Sequence, residues 1–265
     1  MTFNMLTRLG AASVAFAFLQ GVALAEIRTK TFDYKDGDAV LEGFIAYDTA
    51  KAGKRPGVLI FPQWTGTSDH ERDAARNLAK LGYVAMVADV YGKGIRPPAP
   101  KESLTEMLKY MKDRPLLRSR SKAAFERFKT ETNVDASKLA AIGYCFGGAG
   151  ALESARQGLD LKVVVTFHGS LSSPTPDDAK NIKGKVLVLH GADDPAVGPK
   201  EVDDFKAEMK AAGTDLTFVA YSQTVHSFTQ TAAGNDNSKG SAYNARSAKR
   251  AWEAMRDQLD ETIGH

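Results

Sequence analysis

Short apolar runs alternate with helical patterns along most of this chain. Residues 57–61 and 83–88 are compact apolar runs, and between them apolar residues recur at helical spacing up to Gly82. Such runs are typical of strands buried on both faces of a parallel sheet, with the helices covering those faces. The alternation therefore predicts an α/β fold with a mostly parallel central sheet of about eight strands and helices on both faces.

The other elements continue this pattern. Two β-like runs, 27–34 and 39–47, flank a polar turn and predict an antiparallel hairpin. Further predicted strands are 139–143, 162–167, 185–189 and 216–221, and predicted helices are 101–112, 116–130, 147–157, 199–212 and 241–262. Because no repeat or second domain is visible, residues 26–265 are expected to form one domain.

Residues 1–25 resemble a secretory signal peptide. Arg8 is followed by an apolar stretch at 9–19, and Ala23-Leu24-Ala25 gives a small-x-small cleavage site before Glu26. The pattern predicts a periplasmic or secreted protein that does not contact the membrane after cleavage. An uncleaved membrane anchor is the alternative.

Charge and composition limit the partners. The 35 basic and 32 acidic residues leave a net charge of +3, and no basic run resembles a nucleic-acid-binding tract. We therefore expect a small-molecule partner, no nucleic acid, and a monomer or weak homodimer.

Cys145 is the only cysteine of the chain, so it has no intramolecular disulfide partner. It lies in Gly143-Tyr144-Cys145-Phe146-Gly147, which directly follows a predicted strand and opens a predicted helix. This is the context of a nucleophile elbow, Gly-x-nucleophile-x-Gly. A thiol at a helix N-terminus is favoured as the thiolate. The pattern predicts Cys145 as a nucleophile and the Phe146 N–H as an oxyanion donor; a small buried residue at a packing turn is the alternative.

A thiol nucleophile needs a base, and the base needs an orienting group. Of the five histidines, His226 lies just past the last predicted strand, whereas His168 and His190 end internal strands and could be structural. Asp194 follows the strand ending at 189 and is the preferred acid, with Asp193 as the alternative. The order Cys145, Asp194, His226 is that of α/β-hydrolase triads.

At these motifs the chain resembles the dienelactone hydrolase family of α/β-hydrolases. The resemblance covers roughly residues 30–262 and includes 82–85, 88–92, 190–195, 226–228, Ala242-Tyr243-Asn244 and Trp252. It implies a hydrolase that cleaves a carboxylic ester or lactone through a Cys-His-Asp triad and a thioacyl-enzyme, without metal or organic cofactor; with the signal-peptide pattern, we expect this hydrolase to be exported. We also expect Trp64 to supply the second oxyanion donor, and Tyr91 and Phe228 to line the substrate pocket.

Two positions depart from the family pattern. Trp64 stands about where founding members carry a glutamate that activates the cysteine, and no arginine follows His226 to bind a substrate carboxylate. Activation would then rest on His226 and the helix N-terminus, or on an unplaced carboxylate. Arginines elsewhere could replace the missing charge; the candidates are Arg96, Arg118 and Arg120.

Two other functions remain open at this point. A non-catalytic binding protein could keep the same fold, and the absent glutamate favours it. A thiol redox sensor could use Cys145 alone, although no resolving cysteine exists in the chain for a turnover peroxidase.

Overall fold

The computed structural model describes Met1 and residues 26–264. The rest of the predicted signal peptide lies outside the described residues. The strands are β1 (Ile27–Asp36), β2 (Ala39–Asp48), β3 (Arg55–Phe61), β4 (Val84–Val87), β5 (Val134–Tyr144), β6 (Val163–Phe167), β7 (Lys185–Gly191) and β8 (Leu216–Tyr221). The α-helices are α1 (Asp69–Leu81), α2 (Pro100–Lys112), α3 (Arg114–Lys129), α4 (Phe146–Arg156), α5 (Pro199–Ala212) and α6 (Ala245–Thr262).

The eight strands form one sheet in the order β1-β2-β4-β3-β5-β6-β7-β8. Strand β2 runs antiparallel to both β1 and β4, and the neighbouring strands from β4 through β8 are parallel. The predicted hairpin and mostly parallel sheet are therefore confirmed.

Each face of the sheet has its own hydrophobic core. Leu78 of α1 and Met255 of α6 are fully buried on one face. Phe128 of α3, Leu152 of α4 and Phe205 of α5 are buried on the other. Apolar side chains of β3 to β7 point to both faces, which explains why these strands are continuous apolar runs rather than alternating ones.

The start of the closing helix differs from the prediction. The helix begins at Ala245 rather than at 241, because the Asn244 side chain accepts a hydrogen bond from Ser247 N at 3.1 Å and caps it. Ser241 instead forms a β-bridge with His226. Residues 241–244 therefore belong to the loop that carries His226.

Among the described residues, no helix combines the length and apolar character needed to span a bilayer.

Candidate active site

The predicted site residues meet at one edge of the sheet. Cys145 follows β5, Asp194 follows β7, and His226 follows β8. Because parallel strands end at the same edge, their following loops converge there. Trp64 follows β3 and Tyr91 follows β4, so both approach the same edge from the other half of the sheet.

Cys145 lies on a strained turn that only glycine neighbours permit. Its φ is 55° and its ψ is −120°, and it is the N-terminal cap of α4. A Cβ on Gly143 would come within 2.0 Å of Gly147 O, and a Cβ on Gly147 within 2.1 Å of Phe61 O. Both contacts are with backbone, which cannot move aside. The glycines are therefore needed for strand and helix to approach this closely, and the thiol stays partly exposed.

A chain of hydrogen bonds joins Cys145 to Asp194 through His226. His226 Nε2 lies 3.2 Å from Cys145 Sγ, and His226 Nδ1 lies 2.8 Å from Asp194 Oδ2. The other oxygen of Asp194 accepts from the backbone N–H groups of Ala196 and Val197, at 2.8 and 3.2 Å. Both carboxylate oxygens therefore accept hydrogen bonds, which fixes the orientation of the Asp194 side chain.

The environment of His226 favours its protonated form. Burial lowers the pKa of the imidazole, but the hydrogen bonds and charges of Asp194 and Cys145 outweigh it and raise the pKa to about 10. A protonated imidazole is the partner that a thiolate requires. The arrangement can therefore hold a thiolate–imidazolium pair.

His168 is a buried neighbour of the base. Its ring meets that of His226 edge to face, with centroids 5.1 Å apart, and its Nε2 lies 2.8 Å from Thr229 Oγ1. Burial, followed by the nearby charges of His226 and His70, lowers the pKa of His168 well below its usual range. His168 therefore stays neutral and packs against the base without competing for its proton. Sequence reasoning left it as a structural candidate, although it ends a strand at the same edge as Cys145.

His226 lies in the loop of residues 222–244 between β8 and α6, here called the base loop, and the second half of this loop is hydrogen-bonded to its backbone. His226 N donates to Gly240 O at 3.2 Å, and Ala242 N donates to His226 O at 3.0 Å. Phe228 is fully buried and its ring contacts those of His168 and Tyr221. The prediction that Phe228 lines the substrate pocket is therefore wrong: a ring without exposed surface supports the loop from the core.

Trp64, Phe146 and Tyr91 belong to the hydrophobic cluster against which Cys145 packs. Trp64 and Cys145 each pack against the core that contains Tyr91 and Phe146, and the Tyr91 ring stacks on Phe146 with centroids 5.7 Å apart. The Tyr91 hydroxyl donates to Trp64 O at 2.8 Å, which fixes the orientation of that peptide. Within residues 26–264, the N–H groups of Trp64 and Phe146 donate to no backbone acceptor. Both therefore remain the predicted oxyanion donors.

These motifs match a known family along most of the chain. The family model for the dienelactone hydrolase family matches residues 41–263. The chain belongs to the dienelactone hydrolase family. The predicted family, hydrolase class and fold are confirmed.

Relatives and solved structures agree with this assignment. A putative carboxymethylenebutenolidase of Yersinia pestis is 27% identical, over 82% of this chain and 82% of its own length. The structure of the dienelactone hydrolase-like promiscuous phosphotriesterase P91 from metagenomic libraries is 39% identical, with a TM-score of 0.84 over 90% of this chain and 99% of its own. The structure named m3DLH is also 39% identical, with a TM-score of 0.86 over 89% of this chain and 99% of its own.

Within residues 26–264, no carboxylate is hydrogen-bonded to the Cys145 thiol. In the described part of the chain, the side-chain hydrogen bond of Cys145 Sγ goes to His226. The buried Glu71 instead caps α1, where its Oε2 accepts from Ser68 N and Oγ at 2.8 and 2.7 Å. In this dienelactone hydrolase homologue, the groups next to Cys145 are therefore His226 and the start of α4.

The three candidate arginines are already paired. Arg96 lies 3.5 Å from Glu42 and 3.7 Å from the buried Asp89. Arg118 contacts Glu153 at 2.6 Å, and Arg120 contacts Asp36 at 2.6 Å. A substrate carboxylate would have to compete with these carboxylates for any of the three guanidinium groups.

Within the described residues, neither a metal site nor the cavity beside α5 includes the side chains of the candidate active site. Among the described residues, no group of three or more His, Cys, Asp or Glu could hold a metal ion. A cavity of about 870 Å³ lies between α5 and a 3₁₀ helix at Pro176–Asn181, and its wall contains none of the predicted site residues.

Proposed function

We propose that this protein hydrolyses a carboxylic ester or lactone, with Cys145 as nucleophile, His226 as acid and base, and Asp194 as the group that orients His226. The observation that carries the proposal is the hydrogen-bonded chain Sγ–Nε2 of 3.2 Å and Nδ1–Oδ2 of 2.8 Å. It follows the strained elbow, where the thiol is accessible. Membership of the dienelactone hydrolase family supports the reaction class.

The first half of the reaction forms a thioester. The Cys145 thiolate attacks the carbonyl carbon, and the Phe146 and Trp64 N–H groups stabilise the resulting oxyanion, each contributing roughly 3 kcal/mol. When the intermediate collapses, the carbon–oxygen bond breaks and the leaving alkoxide takes the proton of His226 Nε2. This releases the alcohol and leaves an acyl-Cys145 with neutral His226.

The second half consumes water. Neutral His226 takes a proton from a water molecule, whose oxygen attacks the thioester carbonyl, and the sulfur leaves as the thiolate. The products are the carboxylic acid and the original thiolate–imidazolium pair. Asp194 keeps Nε2 directed at Cys145 through both steps.

Kinetics of alanine variants test this proposal. Hydrolysis of p-nitrophenyl acetate should fall by about 10⁴-fold or more in Cys145→Ala and in His226→Ala. Because the two residues act as one unit, losing either should cost about as much as losing both. Circular dichroism of each variant checks that the fold is kept. Wild-type turnover by folded Cys145→Ala would refute the proposal.

A phosphotriester is a second candidate substrate. The specific support is the 39% identity to a structure described as a promiscuous phosphotriesterase. Release of p-nitrophenol from paraoxon by the wild type, and its loss in Cys145→Ala, would show that the same thiol performs this reaction. No release above the Cys145→Ala background would restrict the protein to carboxylic esters.

We further propose export to the periplasm or the medium. The support is the pattern of residues 1–25, with cleavage expected between Ala25 and Glu26. Intact mass of the protein from a fractionated bacterial host tests this. A mature chain beginning at Glu26 in the periplasmic or extracellular fraction is expected, and a full-length chain in the cytoplasm would contradict it.

A further inference from the structure

A second cavity, of about 640 Å³, is bordered by the loops that carry Trp64 and His226. Its wall includes Gln63, the neighbour of Trp64, and Thr229 and Gln230 of the base loop. The Gln230 side chain donates to Gln63 Oε1, so the loop that carries Trp64 and the base loop meet at this wall. Tyr144, which directly precedes Cys145, also lines it.

This cavity and the Trp64 side of the thiol lie on opposite faces of the sheet. Trp64 and Cys145 pack against the core beneath α3, α4 and α5. The cavity is lined by Ala74 of α1 and Trp252 of α6, the helices of the other face. The cavity and the Trp64 side of the thiol are therefore two separate spaces that meet only at the edge of the sheet where the loops converge.

The position of the acid decides which half faces the cavity. In the proposed acyl transfer the leaving oxygen must lie within hydrogen-bond reach of His226 Nε2 in order to receive its proton. The group bonded to that oxygen extends along the base loop, whose residues 229–232 form one wall of the cavity. The acyl half then remains on the side of Trp64 and Tyr91.

The lining of the cavity suits an uncharged aromatic group. The half-buried Trp252 offers aromatic surface, backed by the buried rings of Tyr144 and Phe167, and the amides of Gln63 and Gln230 offer hydrogen bonds. The charges at its edge are balanced: Asp69 pairs with Arg72 at 3.4 Å, and Asp73 pairs with Arg76 at 2.6 Å. Neither sign of charge is therefore favoured on the ligand.

We propose that this cavity binds the alcohol half of the ester, and that its preferred occupant is an uncharged aromatic alcohol such as a phenol. The inference rests on the proposed function, since it requires His226 to protonate the leaving group. Trp252 and the Gln63–Gln230 pair are then specificity determinants rather than catalytic residues.

Two esters with the same acyl group test the inference. Phenyl acetate and trifluoroethyl acetate give the same acetyl-enzyme but differ in the size and aromaticity of the leaving group. Ala248 lines the cavity from α6, so Ala248→Trp should fill it. This variant should lower kcat/KM for phenyl acetate at least about tenfold and that for trifluoroethyl acetate less than about twofold. Trp252→Ala should shift the ratio in the same direction by a smaller factor.

The control is Asp257→Ala, on an exposed part of α6 where the aspartate side chain is 73% exposed. It should leave both values unchanged. Deacetylation, measured after the burst, should be the same in all variants because they share the acetyl-enzyme. An equal fall for both esters in Ala248→Trp, or an unchanged ratio in both cavity variants, would overturn the inference.

Binding of phenol separates this inference from the proposed function. Saturation-transfer NMR should detect phenol on the catalytically inactive Cys145→Ala protein and on Asp257→Ala, and should not detect it on Ala248→Trp. Phenol bound equally by all three would overturn the inference even if the hydrolase is active. Cys145-independent ester turnover would refute the proposed mechanism and leave the binding result as the test of the cavity.

Discussion

The nucleophile elbow and the base loop hold their reacting side chains in opposite ways. Cys145 is fixed by backbone packed against backbone, through Gly143 and Gly147 within two residues of it. His226 is fixed by segments that are distant in sequence. Its backbone is hydrogen-bonded to Gly240 and Ala242, and its ring is hydrogen-bonded to Asp194. The elbow is thus a local structure with little tolerance, whereas the base loop is an assembly of weaker contacts that can be removed singly.

The largest effect is expected at the elbow. Gly147→Ala places a methyl group about where Phe61 O lies, so we expect destabilisation of more than about 3 kcal/mol or no soluble protein. Gly198→Ala is the matched control, because its φ is −76° and no atom lies within 4 Å of the added Cβ. Urea unfolding of both variants measures the difference; equal stabilities would show that the elbow tolerates movement.

Asp194 should matter for rate rather than for folding. Asp194→Asn removes the charge that orients His226 while keeping the shape, so kcat should fall by about 10²–10⁴-fold. The neighbouring Asp193 is exposed, and Asp193→Asn should stay within about twofold of wild type. Steady-state kinetics on p-nitrophenyl acetate decide between them, and the reverse order of effects would transfer the role to Asp193.

The pH dependence of acylation should reflect the raised pKa of His226. The proton needed by the leaving group is present below the His226 pKa of about 10 and is lost above it. The alkaline limb of kcat/KM should therefore lie near pH 10. In Asp194→Asn one cause of the increase is removed, and the limb should move toward neutral pH. A limb near neutral pH in the wild type would mean that His226 acts from a neutral resting state.

The smallest effect is expected at the far end of the base loop. Asn244→Ala removes the N-terminal cap of α6 and two weak bonds to the loop, so it should cost about 1 kcal/mol. The exposed Asn237 side chain donates one hydrogen bond, to Gln223 O at 3.1 Å, and Asn237→Ala should cost less than about 0.5 kcal/mol. Thermal unfolding compares the two. A loss of several kcal/mol in Asn244→Ala would make the base loop as intolerant as the elbow.

The sequence predicts the locally determined elbow well and the long-range contacts of the base loop poorly. The elbow and its glycines lie within a few residues of Cys145, and apolar alternation predicts the sheet that brings Asp194 and His226 to the same edge. Long-range contacts are not visible in such patterns. The bridge from Ser241 to His226 shortens the closing helix, and packing against His168 and Tyr221 places Phe228 in the core. The Gln63–Gln230 bond joins residues 167 positions apart and has no local signal.

Trapping the acyl-enzyme tests the central claim most directly. Wild-type protein mixed with p-nitrophenyl acetate, quenched in acid within the burst, and digested for peptide mass analysis should carry one acetyl group on Cys145. Asp194→Asn should carry it as well, more slowly formed, and Cys145→Ala should carry none. Turnover without an acetylated Cys145, or an acetyl group on another residue that forms at the turnover rate, would contradict the assignment of Cys145 as the nucleophile.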